Sequence, residues 1–247
     1  MTETAGSTKR FASTTASTGN SRRAGPVEDA GVGRATFATM VETLVGLGYP
    51  ELLATTPDGL RTALAPLQDH APMGEIDLEA GSLPFVLVIA GSAVPAAASL
   101  TRIRREGRAP VEALQPVPIE RFVPIDTLEL PAGEAYLLLD VDRGDAFRNA
   151  TPDAAYQAFA EMGRSPLTIE EGIAVLTHHP DVLRPNRCFS LLGSRCGDKR
   201  VPAIWLSRRR PKLGWCWAGN PHTWLGSASG AGRSPGVAIE RGREERR

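Results

Sequence analysis

The chain has 247 residues, 42% of them hydrophobic and 23% charged, with 28 basic side chains against 28 acidic ones. These proportions are ordinary for a globular protein and exclude a chain disordered throughout. The length allows one domain with tails or two very small domains.

Residues 1–34 are rich in Ser, Thr, Gly and Ala, show no periodicity, and are expected to form a disordered tail. Phe37, Met40, Val41, Leu44, Val45 and Leu47 recur at helical spacing, and Gly48 with Pro50 stops the run. Pro57-Asp58-Gly59 opens a second short helix through Leu60, Leu64 and Leu67. The uncharged stretch 81–101 has near-spanning length, but only 83–90 is strongly apolar and Pro84, Gly91, Ser92 and Pro95 interrupt it. It reads as a buried strand followed by a small-residue loop, not a membrane span. Residues 102–109 read as an exposed loop or frayed helix, the prolines of 110–124 keep that stretch extended, and 135–141 is a second strand.

Asp140, Asp142 and Asp145 follow that strand. They miss the calcium-loop template, which needs Gly at the sixth position, so they read as a strand end turning on Asp and Gly. Thr151-Pro152-Asp153 starts a helix with Tyr156, Phe159 and Met162 as apolar positions and Gly163 as its stop. Thr168 and Glu171 form a capping box for the next helix, with Ile169, Ile173 and Leu176 as its buried stripe. His178 and His179 fall in its last turn, where the dipole favours an imidazolium that charges near neutral pH.

Strands are then expected at 188–192, 201–207 and 213–218. In the last, Trp215 and Trp217 share one face, and Gly214, Cys216 and Ala218 give a small-residue face open to close backbone approach. Residues from 230 onward read as a disordered C-terminal tail. The fold class is α+β: one domain at 35–229, helices packed on a small mixed or antiparallel sheet.

Chemistry-bearing residues concentrate in 163–226, which holds all three cysteines, all four tryptophans and three of the four histidines. The net charge of zero hides an asymmetry. Residues 112–181 carry 13 acidic side chains against 4 basic, and 184–212 carry 9 basic against 1 acidic. The two runs either face each other or leave a basic surface for an anionic partner, and the first is the simpler expectation.

Long segments of the chain, YLLLDVDRG, GRSPLTIEEGIAVLTHHP, CFSLLGSRCGDKRVPAIWLS and PKLGWCWAGNPHTWLGSAS, resemble an uncharacterised family of bacterial, mainly actinobacterial, proteins designated only as a domain of unknown function. LPFVLVIA and RFVPIDTLELP extend the likeness more loosely, over about 35–229. The resemblance implies a cytoplasmic bacterial protein and carries no reaction, catalytic residue or cofactor with it. Three cysteines with no apolar leader before them agree with reduced thiols in the cytosol.

Three chemistries compete for this region. Cys188, Cys196, Cys216 and His222 have zinc-ligand identities, but their spacing contains no Cys-x2–4-Cys knuckle and a structural role weighs more. Cys196, set among Arg195, Lys199 and Arg200, is a candidate nucleophile whose thiolate the cations favour. His222 or His178 would be its base, and Asp198 or Asn220 would orient that base. Arg195, Arg200, Trp215, Trp217, Asn220 and His222 form a candidate binding surface for a small anionic ligand, a nucleotide or nucleic acid, through stacking and phosphate contact. The leading expectation is a cytosolic binding protein using the 194–224 surface, and the competing one is a thiol- or zinc-dependent enzyme at the same place.

Overall fold

The computed structural model describes residues 29–241; residues 1–28 and 242–247 of the expected tails lie outside the described residues, while 29–34, expected in the N-terminal tail, form the first turns of a helix. In chain order the elements are α1 (Asp29–Gly46), α2 (Tyr49–Leu52), α3 (Pro57–Leu64), β1 (Ser82–Ile89), α4 (Ala96–Arg102), β2 (Val111–Glu112), β3 (Val123–Pro124) and β4 (Ala135–Asp142). There follow α5 (Pro152–Glu161), β5 (Ser165–Pro166), α6 (Ile169–His178), β6 (Cys188–Ser190), β7 (Ser194–Arg195), β8 (Arg200–Ser207), β9 (Arg210–Trp217), β10 (Leu225–Ser227) and β11 (Ser229–Arg233). The architecture is a single α+β domain with one sheet ordered β1-β4-β11-β5, a second ordered β10-β6-β8-β9-β2, and a β3-β7 pair.

Local chemistry sets the helix starts. Thr56 accepts from the Gly59 amide at 3.0 Å and Thr151 from Ala154 at 3.1 Å, each with proline next in the chain. The capping box of α6 is present as expected: Glu171 N donates to Thr168 Oγ1 and Thr168 N to Glu171 Oε2. Met162, expected in the stripe of α5, is instead exposed, because the helix ends at Glu161 and Met162 caps it. The loop expected after β1 contains α4, a helix of small residues whose weak periodicity hid it.

β1 and β4 carry apolar runs, 83–89 and 135–139, because each faces two cores. Val86 and Val88 with Tyr136 and Leu138 enter a core shared with α5, α6 and the second sheet. Phe85, Leu87 and Ile89 with Ala135 and Leu137 enter another, under α1, α2 and α3. Parity changes where Asp140 adopts φ +46°, which returns Val141 and its partner Leu83 to the first core. The acids after β4 are used structurally. Asp140 pairs with Arg164, Asp145 with the fully buried Arg143, and Asp142 accepts from the Gly144 amide. This agrees with a turning strand end.

The C-terminal segment corrects the expectation of a tail from 230. β11 runs antiparallel between β4 and β5, and Ile239 packs in the second core. Gly230 and Gly232 make this segment read as linker, yet a Cβ at Gly230 would meet Leu138 Cδ1 at 2.8 Å, so the missing side chain is what seats the strand. Among the described residues no helix is long and apolar enough to cross a membrane.

Candidate functional site

The expected surface is assembled in part. Trp215 and Trp217 share a face of β9 with ring centroids 4.9 Å apart, and the Arg200 guanidinium lies 4.9 Å and 5.3 Å from them. Asp198 pairs with Arg200 and accepts from Cys196 Sγ at 3.2 Å. The small-residue face is covered mainly by a side chain: a Cβ on Gly214 would lie 2.3 Å from Trp205 Cη2 and 3.3 Å from the Ala113 carbonyl. His222 sits against Trp224, which packs edge-on to Trp205, and Asn220 is exposed in the turn after β9.

This arrangement disfavours the thiol and metal chemistries. The carboxylate beside Cys196, not the cations around it, is its hydrogen-bond partner, and burial with that bond raises its pKa. Burial also raises Cys188, and takes Cys216 to about 11. A thiolate is therefore not favoured at neutral pH. No group of three or more His, Cys, Asp or Glu among the described residues is placed to hold a metal ion, so Cys188, Cys196, Cys216 and His222 do not converge as zinc ligands.

The basic run is also largely occupied. Arg195 donates to the Leu192 and Ser194 carbonyls, Arg209 pairs with Glu106, Arg210 donates to Ala109, and Arg184 and Arg187 both pair with Glu79. The 112–181 run supplies one such partner, Asp145 to Arg187 at 3.7 Å. The acidic and basic runs therefore do not pair face to face as expected; most partners come from elsewhere in the chain.

A groove opens on another part of the molecule. It has two lobes of about 260 and 210 Å³, which share Gly91, Pro124 and Glu170. One lobe extends past Leu130, Pro131, Tyr136 and Thr168, and the other past Pro95, Ala96, Ile119 and Phe122. The lining is mostly apolar, contains two carboxylates, Glu120 and Glu170, and includes no lysine, arginine or histidine. The fold explains the placement. β1 delivers Gly91 at its C-terminal end, the β3-β7 pair holds Pro124, and the capping box fixes the first turn of α6, where Glu170 and Glu171 are adjacent.

Those two glutamates have opposite surroundings. Glu171 is fully buried and holds Arg233 through Nε at 2.6 Å and Nη2 at 2.9 Å, while Tyr136 donates to it at 3.1 Å. Among the described residues no cation lies within ion-pair distance of Glu170, and its Oε2 is buried without a hydrogen-bond partner there. Burial raises its pKa, helped slightly by the charge of Glu171 and opposed by its own backbone amide and the Thr168 hydroxyl. Oε1 lies against the bare Cα of Gly91, where a Cβ would come within 2.9 Å. An unpaired carboxylate in an apolar cleft is a functional-site signature. The sequence held one sign of it: two acids open α6, and the capping box uses only the second.

Comparison with curated proteins and with solved structures finds no match. Residues 43–236 match a family of unknown function, and that span includes the groove, Glu170 and β11. The chain belongs to this family, DUF5701.

Proposed function

We propose that this protein binds an organic cation, an apolar molecule carrying an ammonium or similar group, in the groove with Glu170 as counter-ion. The observation that carries this reading is the buried Glu170 oxygen without a donor, in a lining that supplies negative charge and no positive charge. A cation would give that carboxylate the partner that the described residues do not supply, and the lobes would take the apolar body.

The test is calorimetric titration with alkylammonium ions, their neutral isosteres and matching carboxylates. Ammonium ligands are expected to bind, and Glu170→Gln to weaken them by at least about 30-fold, the scale of a truncated buried charge pair. Affinity should rise with pH as Glu170 ionises, because its pKa stands above the ordinary value. The same substitution should stabilise the free protein at neutral pH by about 1 kcal/mol, since it removes an unpaired buried charge. Equal binding of neutral isosteres, or unchanged binding by Glu170→Gln, would refute the reading.

One observation favours a second reading: Trp217 is 42% exposed beside Trp215 and Arg200. There a nucleotide or single-stranded nucleic acid would stack on the indole, with the Arg200 guanidinium beside it. Salt-sensitive oligonucleotide binding that is lost in Trp217→Ala supports it, and no binding at low salt rejects it. A cytosolic bacterial setting belongs to the same proposal, supported by three free thiols.

A further inference from the structure

The β8–β9 hairpin turns on a residue pair that its geometry does not favour. Ser207 pairs with Arg210, so the loop is Arg208 and Arg209, with φ of +51° and +64°. Two positive values define a type I′ turn. Asn-Gly usually fills it, because other L side chains rarely adopt the left-handed region. Folding preference therefore does not select an arginine pair here, and residues held in such conformations cluster at ligand clamps.

A second turn braces the first. Arg105 bridges to Arg108 across Glu106 and Gly107, which also have positive φ. Arg108 Nη1 donates to the Arg208 carbonyl at 3.2 Å, and Arg210 Nε donates to the Ala109 carbonyl at 3.1 Å. Arg209 Nη2 meets Glu106 Oε2 at 2.8 Å. These bonds join the turns but neutralise little charge. Carbonyls take the bonds of Arg108 and Arg210, and Glu106, the one acid in either turn, is shared with Arg105. Arg209 remains 71% exposed. Arg208 is exposed, and its guanidinium has no partner among the described residues.

Shape narrows the partner. β6 pairs with β8 at Ala203 and Ile204, and β2 pairs with β9 at Lys212 and Leu213. From Trp205 to Pro211 the strands pair with each other alone, as a two-stranded ribbon tipped with arginine. The major groove of B-form DNA admits such a ribbon, and guanidinium forks match its phosphates. Neither turn has an exposed large apolar side chain to anchor in a bilayer, or an aromatic ring on which unpaired bases would stack.

We propose that the joined turns are a docking site for the phosphate backbone of duplex DNA, held by Arg108, Arg208, Arg209 and Arg210 without regard to sequence. The site is independent of the groove. It is also independent of Trp217, which lies at the other end of β9, roughly 23 Å away at strand spacing.

The test is fluorescence anisotropy of the full chain with a labelled DNA duplex of about 20 base pairs, from about 50 to about 200 mM salt. Binding is expected, with a log–log salt slope of about −3, as for three or four neutralised phosphates. Arg208→Asn/Arg209→Gly gives the turn its preferred residues. It should raise Tm yet weaken duplex binding at least about 10-fold and reduce the slope by about 2. Arg108→Gln, in the other turn, should reduce the slope by about 1. Trp217→Ala should leave duplex binding unchanged. No binding at low salt overturns the inference, as does full binding by the Arg208→Asn/Arg209→Gly chain. If that chain loses its fold as well, an unchanged slope in Arg108→Gln overturns it. Binding to single strands, to vesicles containing phosphatidylserine or to polyglutamate as tight as to the duplex overturns the assignment to duplex DNA.

Discussion

Arg233→Met is expected to lower the unfolding free energy by about 3–5 kcal/mol, the cost of breaking a buried ion pair from one side. Glu171 is 0% exposed, and Arg233, 7% exposed, is its cation. Arg233 also donates to Ser165 Oγ at 2.8 Å and to the Pro166 carbonyl at 3.2 Å, so it ties β11 to β5 and to the first turn of α6. Without it, Glu171 keeps the Tyr136 hydroxyl and the Thr168 amide but has no positive charge beside it. Urea denaturation measures the loss. The double variant Arg233→Met/Glu171→Gln should recover most of it, because no charge is then buried. A single-variant loss under about 1 kcal/mol would show that the pair is not the clasp its geometry implies. For the same reason a chain ending after Ser229 is expected not to fold, since it lacks the strand between β4 and β5.

Acidification is expected to destabilise the protein well above the range where carboxylates protonate. His178 has its pKa lowered from 6.5 to about 3 by burial. Above about pH 6.5 the ring is neutral in both folded and unfolded chains, and its contribution is fully present. As pH falls below that value the unfolded chain takes up a proton that the folded chain refuses, so stability is lost progressively down to about pH 3. The whole shift corresponds to about 4–5 kcal/mol, of which about 2–3 kcal/mol falls between pH 6.5 and 4.5. His179, also lowered by burial, acts in the same direction. Glu170 acts oppositely: its raised pKa makes the folded chain the better proton acceptor, so its penalty is present at neutral pH and lifts as pH falls. Urea unfolding at stepped pH should show the decline in the wild type and a flatter curve in His178→Phe. A wild-type stability that stays level down to about pH 4.5 would contradict this account.

His178 also shows where reading a sequence stops. From the chain alone, its place in the last turn of a helix argues for an easily charged imidazole. In the fold its Nε2 meets the Leu87 carbonyl, and burial outweighs the dipole. Cys196 reverses in the same way. Its sequence neighbours are cations, but the turn hands its thiol to Asp198. In both cases the deciding group acts through space, and sequence adjacency does not say which neighbour wins.

What the sequence alone determined is local. The caps at Thr151 and Thr168, the apolar runs of β1 and β4, and the pairing of Trp215 with Trp217 on one face follow from spacing and side-chain type, because hydrogen bonds over three residues and strand alternation need no distant partner. Tertiary structure decided the rest. β11 is a strand only because β4 and β5 flank it, and Arg233 is buried only because Glu171 awaits it. The groove exists because β1, the β3-β7 pair and α6, far apart in the chain, bring Gly91, Pro124 and Glu170 to one place. Of two adjacent glutamates with identical chemistry, packing gave one a cation and left the other without, and that difference is a property of the folded environment that no local pattern encodes.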